Sequence, residues 1–127
     1  MKITILGTTP SVNSLYAKGR HGNIYLTQSG RIYKKEVGDA LRKLGVELPE
    51  PLRDRPLRVR CAFAFERLWE RPGHPVRLDV DNRLKVLLDA LAEALDWDDK
   101  WVWEIVASKH EGPVERVVVE LERLVLS

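Results

Sequence analysis

Arg77-Leu-Asp-Val-Asp-Asn-Arg-Leu-Lys85, then Val86-Leu-Leu-Asp-Ala-Leu-Ala-Glu-Ala-Leu-Asp96, then Trp97-Asp-Asp99, is the stretch on which the reading of this chain turns. Its first part alternates: Val76, Leu78 and Val80 are apolar, while Arg77, Asp79 and Asp81 are charged. That period of two predicts a strand with both acids on one face, roughly 7 Å apart at Cα. Carboxylates so close repel unless a cation or a shared proton intervenes. The period then lengthens. Leu84, Leu87, Leu88, Leu91 and Leu95 fall at helical spacing, with Asp81 or Asn82 as the expected N-cap. Lys85, Asp89 and Asp96 run along a polar edge of that helix, which makes Lys85 and Asp89 an i,i+4 pair. A strand, a helix and a closing Asp98-Asp99 turn can thereby gather three carboxylates and one ammonium.

Charge distribution points the same way. Residues 1–60 hold twelve Lys/Arg and five Asp/Glu, a balance of +7; residues 61–127 hold nine and fourteen, a balance of −5. Residues 79–99 alone carry seven acids and two bases, so the acidity is concentrated in that segment. Hard divalent cations take oxygen ligands, often one or two carboxylates plus substrate phosphates. An acidic spot in an otherwise basic protein suits metal-dependent chemistry on a phosphodiester.

The ordered set Asp79-Val-Asp81-Asn82, Lys85, Leu88-Asp89-Ala90-Leu91 and Trp97-Asp98-Asp99 resembles the RusA-type Holliday-junction resolvases. Asp-x-Asp alone is a weak signal; the whole set in order is a strong one. Pro10-Ser-Val-Asn13 and Tyr25-Leu-Thr extend the resemblance toward the N-terminus. It implies a small dimeric endonuclease that cuts four-way DNA junctions with Mg²⁺, Mn²⁺ being a possible substitute. Asp79, Asp81 and Asp99 would bind the metal and Lys85 would be their cationic partner, with Asp98 the alternative to Asp99. Residue 78 is Leu where the family usually has Pro or a basic residue, which passes the basic role to Arg77 or removes it. Lys109 matches a basic position of the family.

The chain of 127 residues fits one domain, 1–127, with a real core. Its single cysteine, Cys61, excludes an internal disulfide and suits a reducing cytoplasm; it sits in an apolar run and reads as core. No stretch resembles a signal peptide or a membrane span. Lys2 to Leu6 reads as a strand. Lys18, Arg20 and His21 form a basic, glycine-containing loop between two short strands, suited to phosphate contact, and Asn13 is a further candidate beside a turn-capping role. Residues 28–44 read as a helix capped by Thr27 or Ser29, its apolar face Tyr33, Val37, Ala40, Leu41 and Leu44. Arg31, Lys35 and Arg42, with Lys34 beside them, make a basic stripe able to follow phosphates.

Leu57 to Glu66 reads as a long strand, Trp69 to Pro75 as a loop, 101–108 as a strand and Val114 to Leu124 as the last one. Trp101 and Trp103 are expected on one face of their strand, against the core or a second subunit. The expected fold is a mixed α/β (α+β) domain with two main helices on a small mixed sheet, forming a homodimer. The activity expected is that of a Mg²⁺-dependent, cytoplasmic junction endonuclease acting on branched DNA. Two alternatives stand beside it: a metal-dependent nuclease for other branched or flapped DNA, and a non-catalytic DNA-binding protein. In the latter Asp79 would pair with Arg77, Asp89 with Lys85, and Asp99 would cap a turn.

Overall fold

The computed structural model describes residues 1–10 and 16–125. Strand β1 (Lys2–Leu6) leads to the short strands β2 (Tyr16–Lys18) and β3 (Ile24–Leu26), then helix α1 (Gln28–Lys43). A 3₁₀ turn (Glu50–Leu52) precedes β4 (Leu57–Phe65). Strands β5 (Trp69–Arg71) and β6 (His74–Pro75) form a hairpin before helix α2 (Val80–Ala94). A second 3₁₀ turn (Asp99–Trp101), β7 (Val102–Glu111) and β8 (Arg116–Arg123) complete the order. The main sheet runs β1-β8-β4-β7, with β4 and β7 parallel and the other pairs antiparallel. The expected mixed α+β domain with two helices on a mixed sheet is what forms.

One face of each strand builds the core. In β4, Leu57, Val59, Cys61, Phe63 and Phe65 are buried, and in β8 Val117, Val119 and Leu121 join Ile3 and Ile5 of β1. Tyr33, Val37 and Leu41 of α1 and Val86, Leu87, Ala90 and Leu91 of α2 close over that face. Thr27 caps α1 by accepting a hydrogen bond from Gly30 N at 3.1 Å. Gly45, at φ 65°, ends it, with Val46 N donating to the Leu41 carbonyl at 2.9 Å.

Four expectations need correction. Among the described residues, 76–79 lie in no ladder, and helix α2 begins at Val80 after Asp79, whose backbone is extended. The alternation is real, since Val76, Leu78 and Val80 are half-buried while Arg77, Asp79 and Asp81 are exposed. A strand also requires a neighbour, however, and the hairpin ladder ends at the Trp69–Pro75 pair, with one further backbone bond from Val76 N to the Leu68 carbonyl. Asp79, rather than Asp81 or Asn82, is the N-cap. Trp101 lies in the 3₁₀ turn before β7, so it does not share a strand face with Trp103. Val86, off the leucine stripe that the helical spacing picks out as the apolar face, is nonetheless fully buried within the core cluster.

Candidate active site

The start of α2 carries the first two acids. Asp79 sits at the N-cap with ψ 119°, yet its carboxylate makes no capping hydrogen bond to the backbone; it accepts one from the Asn82 side chain, Nδ2, at 3.4 Å. Asp81 follows in the first helical turn and is exposed. In a helical turn residues two apart do not face each other, so the shared strand face expected for Asp79 and Asp81 is absent. Both acids are instead favoured by the partial positive charge of the helix start. Lys85, one turn on from Asp81, is exposed on the same helix.

The backbone at Asp79 is held from two sides. Lys109, at the far end of β7, donates from Nζ to the Leu78 carbonyl at 3.1 Å. Arg83 Nη1 lies 3.4 Å from the Asp79 carbonyl, while its guanidinium stands 5.6 Å over the Phe65 ring. Lys109, expected to contact DNA, therefore already has a structural use. Arg83 was not among the expected site residues; its place one turn beyond Asp79 was the available signal.

The closing acids are elsewhere. Asp98 Oδ1 accepts from Lys100 N at 2.9 Å and caps the second 3₁₀ turn, which leaves Asp99 as the uncommitted member of the pair. Asp99 lines a cavity of about 820 Å³ with Asp89, Glu93, Asp96 and Asp98, Lys34 and Arg53 contributing charge of the other sign. Asp89 is eight residues along α2 from Asp81, a separation of about 12 Å along the axis. Asp79 and Asp81 thus stand at the start of α2, while Asp99 lines a cavity with Asp89, Glu93 and Asp96 from farther along the chain. Among the described residues no three His, Cys, Asp or Glu side chains are grouped to hold a cation. Asp79 and Asp81, as exposed oxygen donors at one helix start, do fit a hard cation that takes one or two carboxylates and completes its shell with phosphate and water.

The basic residues divide by partner. On α1, Lys34 pairs with Glu93 at 3.3 Å, Lys35 with Asp39 at 3.4 Å, and Arg42 with Asp39 as well. Arg31 donates to the Leu26 carbonyl at 2.8 Å. These four line one groove of about 360 Å³, with Gly38 in its floor. Lys18, Arg20 and Arg77 are exposed and have no ion-pair partner among the described residues. Asn13 lies outside the described residues.

An α+β domain that exposes unspent carboxylates at a helix start, among several basic surfaces, has the layout of a nuclease. The model of the family described as Endodeoxyribonuclease RusA matches residues 7–122, nearly the whole chain. The chain belongs to the RusA endodeoxyribonuclease family, whose members are crossover junction resolvases acting on branched DNA and are generally divalent-metal dependent. No individual curated protein matches it. No helix among the described residues is long and apolar enough to cross a membrane.

Proposed function

We propose that this chain resolves four-way DNA junctions in recombination and repair by paired, Mg²⁺-dependent cuts, as a two-fold dimer in the cytoplasm. Asp79 and Asp81 of one copy hold the cation and Asp99 of a second copy completes the acid set. The observation that carries this reading is Asp79: it stands where an aspartate caps a helix and leaves its carboxylate free of that task. The non-catalytic alternative needs these acids spent on caps and pairs. The capping acid of the closing turn is Asp98, and no Arg77–Asp79 ion pair is present among the described residues.

The dimer follows from the separation of the acids. An isologous interface that brings residue i of one copy to residue j of the other also does the reverse, so an interface joining Asp81 of one copy to Asp99 of the other would form two equal sites. A bound divalent cation would orient the scissile phosphate and lower the pKa of a water. Lys85 then stabilises charge developing on the phosphate oxygens. Arg83 and Lys109 keep the Asp79 backbone in place. Lys18, Arg20, Arg31, Lys34, Lys35, Arg42 and Arg77 neutralise backbone phosphates; the ion pairs on α1 are surface pairs of small net value, which DNA can displace.

The test is cleavage of a synthetic four-way junction with Mg²⁺, against duplex and flap controls. Asp81→Asn should abolish cutting and keep or improve junction binding, because it removes negative charge beside phosphates. Cutting of duplex as fast as junction would overturn the junction reading, and full activity in Asp81→Asn would overturn the site.

A further inference from the structure

Between the core strand β4 and the candidate acids the chain runs Glu66-Arg-Leu-Trp69-Glu-Arg71-Pro-Gly73-His-Pro75-Val-Arg77. The sequence suggested a loop; the structure has the β5–β6 hairpin, separate from the main sheet, with Gly73 at φ 79° in its turn. Every residue of both strands is exposed. Trp69 is 52% exposed and stands opposite Pro75 in the ladder.

A lone two-stranded hairpin is marginal in water. This one is fastened at its base. Leu68 N donates to Glu111 Oε1, at the end of β7, at 3.0 Å, and Val76 N donates to the Leu68 carbonyl at 2.8 Å. The fold thus holds in place an element that buries none of its own strand residues. An indole left half in water keeps an apolar ring face open to an aromatic or apolar occupant.

Charge narrows the occupant. Arg67, Arg71 and Arg77 have no ion-pair partner among the described residues, whereas Lys34, Lys35 and Arg42 of α1 are each paired with an acid. An exposed aromatic among unpaired arginines suits a nucleic-acid strand: the ring takes a base and the guanidinium groups take phosphates. Position narrows it further. Val76, bonded to Leu68, is three residues before Asp79, so at most about 10 Å, or about three nucleotide steps along one strand, separates them.

We propose that the β5–β6 hairpin is the branch-reading element, Trp69 stacking on a base exposed at the branch point while Arg71 and Arg77 hold the adjoining phosphates. In continuous duplex each base is already stacked on its neighbours, so Trp69 finds a free face only where stacking is interrupted. This assignment rests on the junction-resolvase reading and names the residue that confers its selectivity.

The experiment uses the full chain in EDTA, where binding is separated from cutting, and a four-way junction carrying 2-aminopurine at the branch point. Wild type should change the 2-aminopurine emission on binding. Trp69→Ala should lose that change and bind the junction about tenfold more weakly, with duplex affinity unaltered, and Trp69→Phe should retain most of both. Thermal melts of the variants verify folding; if Trp69→Ala melts early, the Trp69→Phe emission decides in its place. An emission change and a junction-over-duplex ratio undiminished in Trp69→Ala, or a Trp69→Phe as dark as an unbound junction, would overturn the hairpin's role while leaving the resolvase reading intact. Equal affinity of wild type for junction and duplex would overturn both.

Discussion

At Lys109 a single side chain separates two kinds of contribution. Its ammonium holds the Leu78 carbonyl, one peptide before Asp79. Lys109→Ala should therefore slow cutting more than it weakens junction binding, and should leave the salt dependence of binding unchanged. A slope reduced by about one unit would mark Lys109 as a phosphate contact instead. Two helix ends allow a similar comparison. Gly45 takes the left-handed conformation at no steric cost, and Gly45→Ala should destabilise the chain by about 1 kcal/mol. Asp96 occupies the equivalent place after α2 at φ 50°, with Trp97 N bonded to the Ala92 carbonyl at 2.9 Å. Asp96→Gly should stabilise by about 1 kcal/mol, because it relieves the left-handed strain and removes a negative charge from a helix C-terminus. Urea titration reads both.

Two buried acids of the core set a pH limit. Burial pushes the Cys61 thiol up to about 12, and burial likewise pushes the Tyr33 hydroxyl up to about 12, against the lowering effect of its 3.1 Å hydrogen bond with Thr9. The folded chain therefore keeps both protons where the unfolded chain loses them, from its ordinary values of 9.0 and 10.0 upward. Stability from these groups is complete below pH 9 and falls as pH rises toward 12. Urea midpoints should drop through that window, and less steeply in Cys61→Ala. The same burial should leave Cys61 unreactive to thiol reagents until the chain unfolds.

At the scale of elements, β7 is a strand of ten residues that, among the described residues, stands at the edge of the sheet and pairs with β4 alone. It supplies both anchors near the candidate site, Lys109 to the acid-bearing segment and Glu111 to the hairpin. Its N-terminal half is tied to the sheet through Arg58. Arg58 Nη2 donates to Glu104 Oε2 at 3.1 Å, and Nε lies 3.1 Å from Oε1 without the alignment of a hydrogen bond. Glu122 of β8 takes Arg60 Nε at 2.8 Å and adjoins Arg58, extending the ladder inward. Glu104→Ala should accelerate amide exchange in β7 ahead of β4 and β8. Equal protection across all three strands would show that backbone pairing alone holds the edge.

For the whole molecule the decisive quantity is the distance between its acids. About 12 Å of α2 separates Asp81 from the cavity that Asp99 lines. If the acid set is shared across a two-fold axis, mixing Asp81→Asn chains with Asp99→Asn chains gives heterodimers with one doubly altered site and one intact site. Such a mixture should regain single-strand nicking of a junction that neither variant nicks alone. A site contained within one chain would gain nothing from mixing. Light scattering should find the dimer in moderate salt.

The sequence by itself determined the local elements. Period-two runs set β4 and β8, the leucine spacing set α2, and Thr27 and Gly45 bounded α1, because each signal depends on residues a few positions apart. It also determined the family, through residues 79–99 read in order, which the match over residues 7–122 bears out. What depended on distant partners was decided only by the tertiary structure. The alternation before Asp79 produced alternating exposure without a ladder, since among the described residues no strand pairs with positions 76–79. Val86, off the leucine stripe, became core through packing with distant residues. Asp98 was taken as a cap and Asp99 left free by the geometry of one 3₁₀ turn. The tertiary structure also places Asp79 and Asp81 at the start of α2 and puts Asp99 in one cavity lining with Asp89 and Asp96. Residues adjacent in a motif are placed by the rise of the helix between them, and a helix of fifteen residues separates its ends by about 20 Å.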